Sequence, residues 1–507
     1  MKYTNPIRHG MYPDPSIVRV GEYYYLTNST FEYYPGIAIS RSKDLVNWES
    51  LKGVATKPQQ ADLRTSKSNE GIFAVCIRYH EDHFYVVTTN FAEFKTFIIR
   101  GELTAEKEIT WEDTRVEVNV RGIDPDLYFE DGRTYLQFTG YVDDKGTKAL
   151  QQVEINLESG EILRGPEIIS YGTGGRDVEG PHIIKKNDWY YLLAAEGGTG
   201  QGHMITMFRS KNLWGPYEDE AGINPLFTNR DRAEEPLQNI GHADLFTDVN
   251  GNWWMSCLGT HPAHVGFSMI TNIGRETLLY PVIWDGDWPE IYHGVPTEEV
   301  DLQDFPKHAK AVGEQKKESF VENFENGALS DDWLTLRDGL GENLVVEEGK
   351  MTLTGREKEL SELGTPAFLG VRQAEIEEEF CVELSKESDP GEGYFGLAVI
   401  INVDHYAELT ITKAGEGYEV HRIQKIADVE IDRCVGQLDQ MPEELKLVNT
   451  GAKKCLQATA GEQTVSFEMD AINLSNEALA ALNTGDIEGI HAYGDSKMVV
   501  TKATRQP

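Results

Sequence analysis

Cysteine is scarce in this 507-residue chain. The five present (Cys76, Cys257, Cys381, Cys434, Cys455) are odd in number, far apart and form no CxxC pair. That excludes a disulfide framework or a structural zinc site as the organising device. Long apolar runs are missing too: none reaches the length of a membrane-spanning helix. The opening Met1-Lys-Tyr-Thr-Asn-Pro6 lacks the apolar centre of a secretion leader, so a cytoplasmic protein with no membrane partner is expected. Positive charge is in short supply, with 47 Lys and Arg against 84 Asp and Glu and a net charge of −37. Such a surface repels nucleic acid and anionic membranes, favours solubility, and does not disfavour a neutral ligand. No GxSxG or HExxH motif occurs, and Gly197-Gly-Thr-Gly-Gln-Gly202 lacks the Lys-Ser/Thr of a phosphate loop.

Helical periodicity is nearly absent as well. What fills the chain is short alternating or aromatic strands bounded by Gly, Asn and Asp, the pattern of an all-β protein. One strand–turn–strand unit recurs five times, with starts near residues 14, 71, 124, 179 and 242. Three copies open on an acid: Asp14-Pro-Ser-Ile-Val-Arg-Val-Gly21, Asp124-Pro-Asp-Leu-Tyr-Phe-Glu-Asp131 and Glu179-Gly-Pro-His-Ile-Ile-Lys-Lys-Asn187. The distance from acid to turn is seven, seven and eight residues. Two related words, Ile39-Ser-Arg-Ser-Lys-Asp-Leu-Val-Asn-Trp48 and Met207-Phe-Arg-Ser-Lys-Asn-Leu-Trp-Gly-Pro216, follow the first and fourth units and are expected to complete four-stranded blades. Five blades make a five-bladed β-propeller whose first strands line a central channel, so the three acids are expected at equivalent places around one axis. The repeat fades near residue 296. Residues 297–318 are charged and polar and read as a linker. Residues 319–507 form a separate alternating region suited to a two-sheet β-sandwich.

Carboxylates crowded near a channel axis cannot all ionise cheaply, so their proton affinities separate. One can then act as an acid while another acts as a base, the division of labour of glycoside hydrolysis. A separation of about 6.5–9.5 Å would mean inversion at the anomeric carbon and about 5–5.5 Å retention. Asp126 lies two residues beyond Asp124 and faces the same side of its strand; it reads as a supporting or turn residue. His80-Glu-Asp-His83 resembles a metal cluster but occupies a hairpin turn.

The residues carry a resemblance to glycoside hydrolase family 43, in its β-xylosidase and α-L-arabinofuranosidase branch. The matching words are Asn5-Pro6, Tyr12-Pro-Asp-Pro-Ser-Ile17, Ser29-Thr-Phe-Glu-Tyr-Tyr-Pro-Gly36, Gly71-Ile-Phe-Ala74, Ile77-Arg-Tyr-His80, Asp124-Pro-Asp-Leu127, Glu179-Gly-Pro-His182, Ala195-Glu-Gly-Gly198, Gly241-His-Ala-Asp244 and Gly274-Arg-Glu-Thr277, in family order. The C-terminal region resembles the concanavalin-like sandwich of these enzymes through Asp332-Trp333, Pro366-Ala-Phe-Leu-Gly-Val-Arg-Gln373 and Asp404-His-Tyr406. The resemblance implies Asp14 as general base, Glu179 as general acid and Asp124 as the carboxylate that orients and tunes the acid. It implies Arg275, His242, Phe31 and Phe73 as substrate-binding residues.

The implied activity is exo-acting, inverting release of β-D-xylose, α-L-arabinofuranose or both from short oligosaccharides. No cofactor is required by this reading, although a divalent cation, calcium, near the propeller axis is left open, as is a homo-oligomer. The sandwich is expected to pack on the propeller and send a loop to the mouth of the site. Val75-Cys76 and Val265-Gly-Phe-Ser-Met-Ile-Thr-Asn-Ile273 depart from the family pattern close to the sugar site. Two other readings remain: a retaining five-bladed hydrolase of fructans or sucrose, and a non-catalytic oligosaccharide-binding protein.

Overall fold

Each repeated unit folds as an antiparallel hairpin, because an apolar strand on either side of a tight polar turn buries one face and pairs its backbone across the turn. In the computed structural model, which describes residues 1–479 and 481–507, Ser16–Val20 pairs with Tyr23–Asn28 and Cys76–His80 with His83–Asn90. Gly122–Glu130 pairs with Arg133–Tyr141, Glu179–Lys186 with Trp189–Glu196, and Gln238–Thr247 with Trp253–Thr260. A third strand joins each hairpin: Ala38–Ser42, Lys95–Leu103, Lys148–Ile155, Met204–Ser210 and Arg275–Ile283. The two related words are thus third strands and the turns after them. The fourth blade has three strands, its outer edge reduced to the bridges Ile205–Phe227 and Arg209–Glu218. The first strands of successive blades adjoin in a closed ring, the fifth beside the first, which gives the five-bladed propeller.

Residues 297–318, read as a linker, do join the two domains, and they are packed along the propeller. Glu299–Asp301 pairs with Lys2–Thr4. Val300, Leu302, Phe305, Ala311 and Val312 are buried in the core that also holds Trp254 and Tyr280. The segment joins the two domains as a packed strap. Its apolar residues are few, but each points inward, and the intervening charges mask them in the sequence.

Beyond the strap, six strands from Ala367–Arg372 to Val429–Leu438 form one sheet, and an eight-stranded sheet faces it. Phe380, Phe395, Leu397, Leu447 and Val500 are among the side chains that fill the space between them. The sandwich is joined to the propeller by a shared β-pair, Tyr33–Tyr34 with Thr335–Leu336. A second apolar core takes Met11 and Tyr33 from one domain and Leu336, Phe368 and Ile400 from the other. Glu378 is buried and accepts the backbone N–H of Ala374 and Glu375.

Candidate active site

Three inner strands open on an irregularity. The pairing register skips between Ile123 and Asp126, between Glu179 and His182, and between Gly241 and Asp244. A bulge of this kind bends the strand and re-aims a side chain. The residue at the bend has positive φ: 51° at Asp124, 58° at Gly180 and 46° at His242, matched by 53° at Asp14. Left-handed backbone at a non-glycine residue is uncommon and must be held by its surroundings.

Asp14, Asp124, Gly180 and His242 are therefore the equivalent positions, and Glu179 stands one residue earlier. That corrects the expected equivalence of the three acids. The count of eight, against seven and seven, was its trace in the sequence. Glycine at 180 also avoids a tight contact, since a Cβ there would lie 3.1 Å from the His242 imidazole.

The bends bring every sequence-predicted site residue to one cavity of about 300 Å³ at the end of the channel: Asp14, Asp124, Glu179, His242, Arg275, Phe31 and Phe73. Phe31 and Phe73 meet edge to face with centroids 5.7 Å apart, and Phe91 stacks on Phe73 at 4.5 Å. The result is an apolar wall suited to the C–H face of a sugar. Arg275 lies over Phe31 and donates to Asp14 Oδ1 at 3.1 Å and to the Thr199 hydroxyl at 3.2 Å.

The three carboxyls sit in different fields. Burial alone would raise Asp14; the Arg275 guanidinium, with the Ser29 hydroxyl that donates to Asp14 Oδ2, overcomes it and holds the group below the ordinary carboxylate range. His242 lies 3.8 Å from the same carboxylate but is itself pushed down to about 4 by burial. It is neutral near pH 7, so the charge that holds Asp14 is that of Arg275. Burial raises both Glu179 and Asp124; for Asp124 the neighbouring charges of Glu179 and Asp14 add to it. The Lys148 ammonium opposes both shifts, donating to Glu179 and lying 3.2 Å from Asp177. One ionised carboxylate thus faces a pair that retains a proton more readily.

Lys148, Asp177, Tyr141, Phe91, Thr199 and His203 also line the cavity and were not picked out from the sequence. Tyr141 ends a second strand, Lys148 opens a third strand and the others lie in loops, places where the repeat carries no signal. Thr199 lies in the glycine-rich segment that lacks the signature of a phosphate loop. Asn483, from the sandwich, also lines the cavity, and its carbonyl accepts from Arg275 at 3.4 Å. Its loop is tied to the propeller where Asn272 donates to the carbonyls of Ala471 and Leu474, each at 2.8 Å, and accepts the Asp486 N–H at 2.7 Å. Gly485 is required for that approach, since a Cβ there would lie 2.0 Å from the Ile273 carbonyl. A second cleft, of about 430 Å³, adjoins the first and shares Arg176, Gly198 and Thr199 with it.

Two residues along each inner strand lies another layer, made of Ser16, Cys76, Asp126, His182 and Asp244, one from each blade. Arg78 reaches into it and donates to Asp126 and Asp244, each at 2.7 Å. Asp126 also pairs with His182 Nδ1 at 2.9 Å.

Comparison with known proteins agrees with this architecture. Residues 3–289 match the family model of glycosyl hydrolases family 43, and residues 321–504 match that of the beta xylosidase C-terminal concanavalin A-like domain. A non-reducing end alpha-L-arabinofuranosidase of Bacteroides ovatus is 32% identical over 491 residues, spanning 96% of this chain and 88% of that protein. A xylosidase/arabinosidase of Butyrivibrio fibrisolvens is 34% identical over 431 residues, spanning 81% of this chain and 80% of its own length. The crystal structure of a xylan beta-1,4-xylosidase from Bacillus halodurans superposes with a TM-score of 0.88 at 25% identity, covering 99% of this chain and all of that one.

Proposed function

This chain belongs to glycosyl hydrolases family 43, and from that premise we propose how its site cleaves a glycosidic bond. The protein is an inverting glycoside hydrolase that acts from the non-reducing end on xylo- or arabino-oligosaccharides. This placement sets aside the retaining fructan or sucrose hydrolase and the non-catalytic sugar binder. Asp14, held ionised by Arg275, takes a proton from a water molecule as its oxygen attacks the anomeric carbon. Glu179 delivers its proton to the glycosidic oxygen as that bond breaks. Asp124, whose own proton affinity is raised by burial and by the Glu179 charge, orients and tunes the acid. Phe31, Phe73 and Phe91 hold the apolar face of the terminal sugar, with His242 on the channel side.

The single observation that carries these roles is the contrast in charge environment. One buried carboxylate is matched by a guanidinium, and two others in the same cavity are lifted by burial, Asp124 also by the charge of Glu179. A cavity of about 300 Å³ is at the small end of ligand pockets, which supports binding of one terminal sugar. The adjoining cleft, on the side of Arg176 and Thr199, is placed to take the rest of the oligosaccharide. β-D-xylosyl and α-L-arabinofuranosyl units, after which the relatives are named, are the proposed terminal residues cleaved. The test is proton NMR of the anomer first released from xylobiose or an arabino-oligosaccharide. The reaction is expected to yield α-xylose or β-arabinofuranose before mutarotation. The opposite anomers would overturn the roles of Asp14 and Glu179.

A further inference from the structure

The layer beneath the catalytic acids holds donors that could suit a metal. Cys76 Sγ, an Asp126 oxygen and His182 Nδ1 lie within 4.8 Å of one another, with Asp244 and Ser16 beside them. A calcium ion fits this set poorly, because calcium takes six to eight oxygen ligands. Here Asp126, Asp244 and Ser16 supply the oxygens, and one oxygen of each carboxylate already accepts a backbone N–H, from Leu127 at 2.7 Å and Leu245 at 2.9 Å.

The centre of the layer is also already cationic. Arg78 holds Asp244 with two N–H groups, at 2.7 and 3.1 Å, Asp126 at 2.7 Å and the Ser16 hydroxyl at 3.1 Å, and its Nη2 lies 3.2 Å from His182 Nδ1. The side chains of Asp126 and Asp244 are each 2% exposed. Two carboxylates buried so deeply need a counter-charge, and a planar guanidinium meets both at once.

We propose that Arg78 stands where a divalent ion would otherwise neutralise the propeller axis, so that this enzyme carries its axial cation in its own chain. Removing the guanidinium uncovers a latent metal site. The vacated set, one thiol, one imidazole and two carboxylates, has the mixed S, N and O character that zinc accepts and calcium does not. A cavity of about 230 Å³, lined by Arg78, His182 and Asp244 and by residues 17–19 and 245–247 further along the inner strands, provides an entry from the end of the channel away from the sugar.

The test uses the full chain and reads thermal unfolding and bound metal together with activity. Wild-type protein treated with a chelator is expected to keep its Tm and its turnover, and calcium or zinc added back is expected to change neither. Loss of Tm or turnover on chelation, restored by calcium, overturns the proposal without refolding of any variant and without touching the assignment of Asp14 and Glu179. Arg78→Ala is expected to lower Tm by roughly 10 °C and to regain at least part of it with zinc, binding about one equivalent by elemental analysis, and not with calcium. An R78A protein whose Tm is as high as that of wild type in chelator overturns the requirement for an axial cation. Arg78→Lys keeps a cation but loses the fork, and is expected to fall between the two and to bind no zinc. Zinc uptake by R78K equal to that of R78A would overturn the claim that the cation itself fills the site.

Discussion

Two layers of carboxylates stand on the same inner strands, two residues apart, and they do opposite work. In the upper layer Asp124 and Glu179 lack enough positive charge, and burial lifts their proton affinity. In the lower layer the Arg78 guanidinium overcomes burial, and Asp244 is held below the ordinary range. Asp124 and Asp126 share a strand and a chemical type; a neighbour from another blade separates their fates. A buried acid can hold a proton to deliver when its counter-charge is incomplete, as at Glu179, and stays ionised when the counter-charge is complete, as at Asp244.

The sharpest way to break this contrast is to truncate one acid from each layer. Glu179→Ala is expected to reduce hydrolysis of xylobiose or an arabino-oligosaccharide by about 100- to 10,000-fold, with a smaller loss on a nitrophenyl glycoside, whose leaving group needs little protonation, and with Tm nearly unchanged. Asp126→Ala is expected to cost about 3–5 kcal/mol of stability, because it strips one partner from a buried ion pair. Calorimetry and steady-state rates on both variants check the pair of outcomes. A stable D126A protein, or equal losses of E179A on both substrates, would dissolve the distinction between the layers.

A second comparison lies within the upper layer, in the pH profile of kcat/KM. Arg275→Ala removes the cation that holds Asp14 down, so burial raises that carboxyl and the acidic limb is expected to move to higher pH by about one unit or more. Lys148→Met removes the cation that restrains Glu179 and Asp124, so the alkaline limb is expected to move upward while the acidic limb stays. Movement of the same limb in both variants would show that the two cations do not serve different acids.

The smallest effect concerns the seam between the domains. His9 of the propeller lies 3.1 Å from Glu375 of the sandwich, and although burial opposes its charge, the Glu375 hydrogen bond and the charges of Glu318 and Glu276 bring it to about 9. A histidine with a raised value in the folded protein contributes stability that is fully present below its unfolded value of about 6.5. That contribution is lost as pH climbs through about 9. His9→Gln is therefore expected to lower Tm at pH 6 by a few degrees and to flatten its decline between pH 7 and 10, read by thermal unfolding across pH.

Much of this was legible in the chain. The strand–turn–strand words marked all five inner hairpins, and the three acids, Arg275, His242, Phe31 and Phe73 meet in one cavity. The readings that needed correction share one cause: a linear pattern shows which residues alternate, not what they approach. The packing of the 297–318 linker was hidden because its apolar side chains are isolated. Glu179 looked equivalent to Asp14 because the bulge that displaces it by one residue is a feature of pairing. Lys148 and Asn483 carry no motif; Lys148 reaches the site from a third strand and Asn483 from the sandwich.

The sequence alone determined that five repeated hairpins would close around an axis and that acids would stand at the ends of three inner strands, because side-chain alternation and turn chemistry are local. Only the tertiary structure decided which acids were left for chemistry. A buried carboxyl takes its proton affinity from charges within a few ångströms, and here those charges come from Arg78, Lys148 and Arg275, on strands far from each acid in sequence or on other blades.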